Sequence, residues 1–292
     1  MKNTNRAKRH MGMKTKSRIS NTIIYIVLAL MMVIWLIPFV CILLESFRVE
    51  TTMQVGYVVP KQWGFDNYIN LLTKTDFPTW YLNTFIIGLV VSVVQTIMVL
   101  CTSYTLSRMR FKGRRGLMNF LLVLGMFPGF ITMIVLYKVL SGVGMTGANS
   151  VPGLILVYSA SSGMGYYISK GFFDTIPKSL DEAARVDGAT RAQVFAKIIL
   201  PLAKPIVIYT VLTAFMAPWG DFMFAKYISH NTSLGMNVAV GMQGMISTPA
   251  SLAANYTQFC AGGVLVALPI TLLFMFLQRY YVAGVTGGAV KG

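Results

Sequence analysis

Residues 172–205 are a long polar segment between apolar runs, and they carry dense local helix signals. Ser179 and Glu182 have the spacing of a capping box, in which each side chain bonds the backbone N–H of the other residue. This spacing predicts that a helix begins at Ser179. Gly188 suits the left-handed conformation that commonly ends such a helix. The chemistry predicted here is noncovalent recognition rather than bond making or breaking.

Thr190 and Gln193 repeat the capping-box spacing and predict a second helix with apolar residues on one side. Two short helices around a glycine bend, on the surface of a membrane protein, would suit the docking of a partner. An ordinary amphipathic helix pair lying on the membrane would show the same periodicity. Periodicity alone leaves these two interpretations open.

No catalytic constellation is visible in the sequence. His10 and His230 stand in a basic tail and a loop without triad or ligand spacing, and the chain has no Gly-Lys dipeptide. A GxxxxGK[ST] phosphate-binding loop is therefore excluded, so any ATP that drives this protein must be bound by another chain. Cys41, Cys101 and Cys260 fall in apolar runs without metal or disulfide spacing, and we expect them to pack there.

The composition is that of a membrane protein. Of 292 residues, 55% are hydrophobic and 12% are charged, whereas about 25% are charged in soluble domains. Because about 20 apolar residues are needed to cross a bilayer, we predict six transmembrane helices. The fifth must extend past Asp221 towards Ala225 to reach that length. The corresponding runs are 22–44, 80–106, 116–137, 150–169, 205–220 and 259–278.

The distribution of Lys and Arg predicts the orientation. Twenty of the 25 basic residues lie in the N-terminal segment, in the segment after the second run, in 170–205 and in the C-terminal segment. By the positive-inside rule, both termini and 172–205 are expected in the cytoplasm. The net charge of +16 then reflects topology and lipid contact rather than nucleic-acid binding.

One membrane domain is predicted, without an internal repeat. Residues 1–21 form a basic cytoplasmic tail, 22–281 the transmembrane domain and 282–292 a cytoplasmic C-terminal tail. The run 22–44 is too long for the apolar region of a cleavable signal peptide. Residues 45–79 are expected as an external loop of mixed charge, and 226–258 as an external re-entrant or surface-lying piece.

The polar segment resembles the cytoplasmic EAA loop of bacterial ABC-importer permeases. The matching residues are Glu182, Ala183, Ala184, Asp187, Gly188, Ala189, Phe195, Ile198, Leu200, Pro201 and Pro205. Two other segments resemble the carbohydrate branch of that family: the basic residues 104–114, and the motif 219–222, in which Gly220 replaces the usual Asn. The ending, 278–292, resembles the maltose-type permeases of the same branch. The resemblance covers residues 20–292. It implies an all-α polytopic protein with the type I ABC-importer transmembrane-domain fold.

The resemblance also implies how the loop works. Glu182 would pair with a basic group on a cytoplasmic ATPase subunit, Ala183 and Ala184 would allow close approach, and Gly188 would keep the bend tight. Residues Gly288 and Lys291 of the tail would reach between two ATPase subunits. The full set of implied coupling residues is Glu182, Ala183, Ala184, Asp187, Gly188, Ala189, Phe195, Pro201, Gly288 and Lys291.

The partners implied are an ABC ATPase dimer, a second permease subunit that completes a heterodimer, an extracytoplasmic solute-binding protein and an oligosaccharide. No cofactor is expected on this chain, because ATP and Mg would be bound by the ATPase subunit. The implied location is the bacterial inner membrane, with no enzymatic activity on this chain.

Four residues are candidates for the substrate path. Asp221 is the one acid near the interior of an apolar run, about 24 Å along the fifth helix at 1.5 Å per residue. Trp219 could stack on a sugar ring, and Asn83 and Gln95 could bond hydroxyl groups. An interfacial anchor for Asp221, and packing for the other residues, are the competing interpretations.

Three other functions compete with the ATP-driven oligosaccharide importer. An ion-coupled secondary carrier would act without an ATPase, but such carriers often hold ionisable groups near the midplane, and the central runs here are nearly free of charge. A permease for a non-sugar solute and a non-transporting scaffold are the remaining alternatives.

Overall fold

A computed structural model describes residues 13–50, 56–126, 129–160 and 163–289, of which helices make up most. The protein is all-helical, with 82% of the described residues in helices. Within the described ranges no strand forms, and Arg48 and Trp63 pair only through an isolated bridge. The helices are α1 Met13–Ser46, α2 Asp66–Lys74, α3 Phe77–Arg108, α4 Arg114–Gly125, α5 Gly129–Gly142, α6 Ser150–Ala160, α7 Gly163–Thr175, α8 Ser179–Val186, α9 Arg191–Val194, α10 Leu200–Leu202, α11 Lys204–Gly220, α12 Met223–Ser229, α13 Val238–Met245 and α14 Pro249–Ala289.

Within the described ranges, three helices are long and apolar enough to cross a membrane. They include Ser20–Ser46 of α1, the whole of α3 and Pro249–Gln278 of α14. Two bent helix pairs raise the number to five if each pair forms one span, one with a bend of 104° and the other with a bend of 83° at Ala203. The count of six therefore stays a prediction.

The predicted continuation of the fifth helix through Asp221 is wrong. Helix α11 ends at Gly220, and Asp221 has an extended backbone with φ −79° and ψ 107°. The side chain of Asn237 donates to the carbonyl oxygens of Pro218 at 2.9 Å and Asp221 at 2.7 Å. A carboxylate oxygen of Asp221 accepts the N–H of Phe224 at 3.2 Å. The break is stable because side chains satisfy backbone groups that lipid could not.

Helix α3 is the centre of the bundle and packs against α6, α7, α11 and α13. The bundle has three apolar clusters, around Ile87, around Tyr104 and around Trp80. Helix α1 lies outside this bundle, with its apolar stretch unburied, and contacts α14. Its exposed apolar side chains are suited to lipid.

The segment predicted as an external loop, 45–79, is anchored by a buried arginine. Arg48 is 1% exposed, and it makes two 2.8 Å contacts with the carboxylate of Glu45. It also donates to the carbonyl oxygens of Tyr57 and Val58 at 3.1 and 2.8 Å. The hydrogen bond to Glu45 raises the pKa of Arg48 above its ordinary value, although burial opposes this. The end of α1 is thereby fixed to the following segment.

The predicted domain boundaries have no counterpart in secondary structure. Helix α1 begins at Met13, within the predicted tail 1–21, and α14 continues past residue 282 to Ala289. The boundaries stay predictions. Part of 226–258 folds as α13, whose residues Val238 and Val240 are buried against the bundle.

Two glycines of α13 provide a test of this packing. A Cβ on Gly241 would lie 2.1 Å from the Trp80 ring, whereas a Cβ on Gly244 would meet nothing within 4 Å. We expect Gly241→Ala to destabilise the protein by about 1–3 kcal/mol through overpacking. Gly244→Ala should be neutral or stabilising by up to about 1 kcal/mol, because Ala favours helix. Melting of the purified full-length chain in detergent measures both variants, and equal midpoints would contradict the contact.

Candidate functional site

The two short helices predicted in 172–205 are present. Helix α8 ends before Gly188, which has φ +85°. The capping box at Thr190 is confirmed: its hydroxyl accepts the N–H of Gln193 at 3.3 Å, and the Gln193 side chain accepts the N–H of Thr190 at 2.8 Å. Local sequence chemistry therefore determines the bend between α8 and α9.

The first predicted capping box is wrong. Lys178 occupies the N-cap position of α8, Ser179 is already the first helical residue, and no side-chain cap bond forms. The helix does begin at Ser179 as predicted, but the carbonyl of Pro177 accepts the N–H of Leu180 at 3.3 Å and that of Lys178 accepts the N–H of Glu182 at 3.1 Å. The helix begins through backbone bonds instead.

A buried apolar cluster joins this segment to α3. Ala184 and Val194, from α8 and α9, pack with Tyr104 of α3 and with Phe173 of α7. The ring of Tyr104 lies 4.7 Å from the ring of Phe195 and crosses that of Phe173 nearly at right angles. Close-packed side chains therefore connect α8 and α9 directly to α3.

An ion pair supplements the apolar contact. Arg108, the last residue of α3, places its Nε 2.9 Å from a carboxylate oxygen of Asp181 in α8. The Nε–H is not directed at that oxygen, so the contact is an ion pair without an aligned hydrogen bond. A second nitrogen of Arg108 donates to the carbonyl of Ile176 at 2.8 Å. The two side chains are only 6% and 15% exposed, so neither charge is well hydrated.

A second polar link lies beside the first. The hydroxyl of Ser107 donates to one carboxylate oxygen of Asp174 at 2.6 Å, and Lys170 contacts the other at 2.5 Å. Burial by itself would raise the pKa of Asp174, but the bonds from Lys170 and Ser107 outweigh it and hold that pKa below its ordinary value. The end of α3 is thus linked to both α7 and α8.

The opposite side of α8 is exposed. Glu182 and Ala183 are exposed, and Val186 is 87% exposed at the end of the helix. The Glu182 carboxylate makes no hydrogen bond or ion pair with any residue in the described part of the chain. An unpaired carboxylate beside an exposed apolar side chain is a surface available to a partner.

The other predicted coupling residues are divided between surface and interior. Ala184 is buried within the segment itself, so it cannot offer the close approach to a partner expected from sequence. Asp187, Gly188 and Pro201 are exposed, and Ala189 and Phe195 are partly buried. Gly288 lies in α14, while Lys291 falls outside the described residues.

Most of the predicted path residues make contacts within the bundle. Trp219 is 4% exposed, with its ring 5.3 Å from that of Tyr81. Asp221 accepts a 2.5 Å hydrogen bond from the hydroxyl of Tyr158. Asn83 donates to the carbonyl oxygens of residues 234 and 236 at 2.9 and 3.0 Å.

The fourth path candidate, Gln95, is partly buried in α3. A Cβ on Gly88 of the same helix would lie 3.3 Å from the indole nitrogen of Trp219, which shows how closely α3 and α11 approach.

Sequence reasoning missed the pairing of Arg108 with Asp181. Both residues stand in segments that the sequence analysis singled out, 104–114 and 172–205, but no local sequence pattern links them. The one available signal was an acid next to Glu182 and a basic residue at the end of a predicted span.

Comparison with known proteins agrees with this architecture. Residues 98–287 match the family described as binding-protein-dependent transport system inner membrane component. The chain is 34% identical to the maltodextrin transport system permease protein MdxG of Bacillus subtilis (strain 168), over 97% of this chain and 100% of the relative. It is 33% identical to the galactooligosaccharides transport system permease protein GanQ of the same strain, over 96% of this chain and 99% of the relative.

A solved structure shares the fold. It is a bacterial ABC transporter involved in the import of the acidic polysaccharide alginate, one chain of which matches with a TM-score of 0.76 at 21% identity. The match covers 94% of this chain and 100% of that one. The chain therefore belongs to the binding-protein-dependent transport system inner membrane components, the non-enzymatic, multi-pass permease subunits of bacterial sugar ABC importers.

Proposed function

We propose that this chain is the permease subunit of an ATP-driven importer of maltose- or maltodextrin-like oligosaccharides. The relatives named for maltodextrin and galactooligosaccharides support an oligosaccharide as the solute. The observation that carries the ATP-driven part is the exposed, unpaired Glu182 on a helix tied to α3 by the Arg108–Asp181 ion pair. A surface of this kind can pass a partner's motion into the membrane.

In the proposed topology the chain crosses the membrane six times, with both termini and 172–205 in the cytoplasm. Two observations support this topology. Lys and Arg concentrate in the segments that it assigns to the cytoplasm, and the bent helix pairs would supply further spans. A second, different permease chain would complete the translocation path. A binding protein outside the membrane would deliver the oligosaccharide.

The proposed mechanism is a rigid-body gate between two states. Two ATPase subunits would bind ATP and Mg and close on each other, carrying α8 with them. The exposed Glu182 would pair with a basic group of the ATPase, while Ala184 holds α8 to the cluster around Tyr104. Since a packed core transmits displacement rather than absorbing it, α3 would move with α8.

For the substrate path we propose the helix break at Asp221. Discontinuous helices in transporters expose backbone and polar side chains where a solute passes. Here Asp221 and Tyr158 supply two polar groups beside the break, whereas Trp219 is buried against α3 and is left out of the proposed path. Asn83 and Gln95 of α3 are further candidates for the same path.

Reconstitution tests the function against its alternatives. Proteoliposomes that hold this chain, an ATPase subunit, a second permease and an oligosaccharide-binding protein should take up maltodextrin only with ATP. The matched control contains this chain without the ATPase. Gradient-driven uptake in that control would favour a secondary carrier, uptake of only non-sugar solutes would refute the sugar assignment, and no solute-dependent ATPase activity would indicate a scaffold.

A further inference from the structure

A strongly basic cleft lies between the end of α3, the segment before α4, and α8. Its volume is about 440 Å³, room for on the order of ten water molecules at about 30 Å³ each. Six cationic side chains contribute to its lining: Arg108, Arg110, Arg114, Lys178, Arg185 and Arg191. Asp181 and Glu182 are the acids in the same lining.

The charges in this cleft are not balanced within the chain. Asp181 is paired with Arg108, which leaves Glu182 as the other acid facing five cations. None of those five makes an ion pair with any residue in the ranges that the structure describes. Cations gathered in one concave surface raise the local concentration of anions. The cleft is therefore electrostatically suited to an anionic ligand.

Arg108 gives a second and independent indication of a ligand. Its side chain is 6% exposed and lines the cleft, yet its Nη1 has no hydrogen-bond partner among the described residues. A buried donor left without a partner is costly, and such groups are uncommon in folded proteins. Oδ1 of Asp181, in the same lining, is a buried acceptor that likewise lacks a partner, so an oxyanion would reach this nitrogen only by shifting the Arg108–Asp181 pair.

We propose that this cleft binds a phosphate group. Arginine forks match the geometry of phosphate oxygens, and four of the five unpaired cations are arginines. The cleft adjoins the end of the membrane-spanning α3, where clustered basic residues meet the headgroups of anionic lipids. The same chemistry would accept a phospholipid headgroup or free phosphate. Orientation in the membrane requires basic residues on one side but does not require that they share a cleft.

The test compares two double variants of equal charge change. The full-length chain is placed in nanodiscs of phosphatidylcholine with or without phosphatidylglycerol, and retained anionic lipid is counted by native mass spectrometry. We expect Arg110→Gln/Arg114→Gln to weaken the retention of phosphatidylglycerol about tenfold, because hydrogen bonds to charged groups are lost. The control is Lys197→Gln/Lys204→Gln, two exposed cations outside the cleft, which should retain lipid like the parent chain.

Further arms identify the source and guard against misfolding. Arg110→Lys/Arg114→Lys keeps the charge but loses the arginine forks, so its retention of lipid should lie between that of the parent chain and that of the Gln variant. Equal thermal stability of the Lys and Gln variants would show that the Gln variant is folded. In pure phosphatidylcholine, inorganic phosphate is added to the parent chain and to the Arg110→Gln/Arg114→Gln variant. Protection of the parent chain alone from thermal unfolding would support the site, with free phosphate as its ligand. Equal behaviour of the two Gln variants towards both ligands would overturn the proposal. So would a result in which only affinity for the ATPase subunit falls, because acidic protein side chains would then fill the cleft.

Discussion

Changing Glu182 to Lys is expected to abolish ATP-driven uptake while the chain still inserts and folds. Glu182 is exposed, and within the described residues its carboxylate has no partner whose loss could unfold α8. Truncating one member of a charge pair across an interface costs about 2–5 kcal/mol, and reversal adds repulsion from the same partner. A loss of at least about 30-fold in coupled uptake follows from the lower figure.

The measurement is solute-stimulated ATPase activity together with uptake in proteoliposomes. Lys197→Glu is the matched control, since it reverses one exposed charge in the same segment outside the proposed docking surface. It should behave like the parent chain, and Glu182→Gln should fall between the two. Normal uptake by the Glu182→Lys variant would exclude the docking role.

The second large effect is expected at Arg108. Arg108→Ala would leave the carboxylate of Asp181 buried without a counter-ion and the carbonyl of Ile176 without its donor. Removing one partner of a buried pair costs about 3–5 kcal/mol, mostly because the remaining charge is stranded. We therefore expect a clear fall in melting temperature and loss of solute-stimulated ATPase activity.

A double-mutant cycle separates the pair from general damage. Arg108→Ala/Asp181→Asn removes the stranded charge, so it should recover part of the stability that Arg108→Ala loses. Lys112→Ala is the control, because Lys112 is an exposed neighbouring cation whose side chain makes no hydrogen bond or ion pair with the described residues. If Asp181→Asn changes the melting temperature equally in the parent chain and in the Arg108→Ala variant, Arg108 and Asp181 are not energetically coupled.

Local chemistry predicted the parts of the site that depend on neighbours in sequence. The Thr190–Gln193 capping box and the left-handed Gly188 are correct because each is decided within a few residues. The helix start at Ser179 is also correct, but the capping box there is not, since backbone bonds to the carbonyl oxygens of Pro177 and Lys178 form in place of a side-chain cap.

Contacts between distant segments decided what the sequence could not. Hydropathy predicted that the fifth helix continues past Asp221. The side chain of Asn237, sixteen residues further along the chain, donates to the carbonyl oxygen of Asp221, and the helix ends there. Trp219 was a candidate for stacking on sugar, and the close approach of α3 at Gly88 buries it instead. Ala184 was expected at a partner's surface and lies in the segment's own core.

The sequence by itself determined that the chain is a helical membrane protein and carries no phosphate-binding loop. It also determined that 172–205 bears the motif of a coupling element, because composition and short-range motifs are properties of neighbouring residues. Only the tertiary structure decided that Arg108 meets Asp181, that Glu182 has no ion-pair partner in the described part of the chain and that the basic residues enclose a cleft. Those features depend on where α3 ends relative to α8. That distance is set by the packing around Tyr104, which no local pattern encodes.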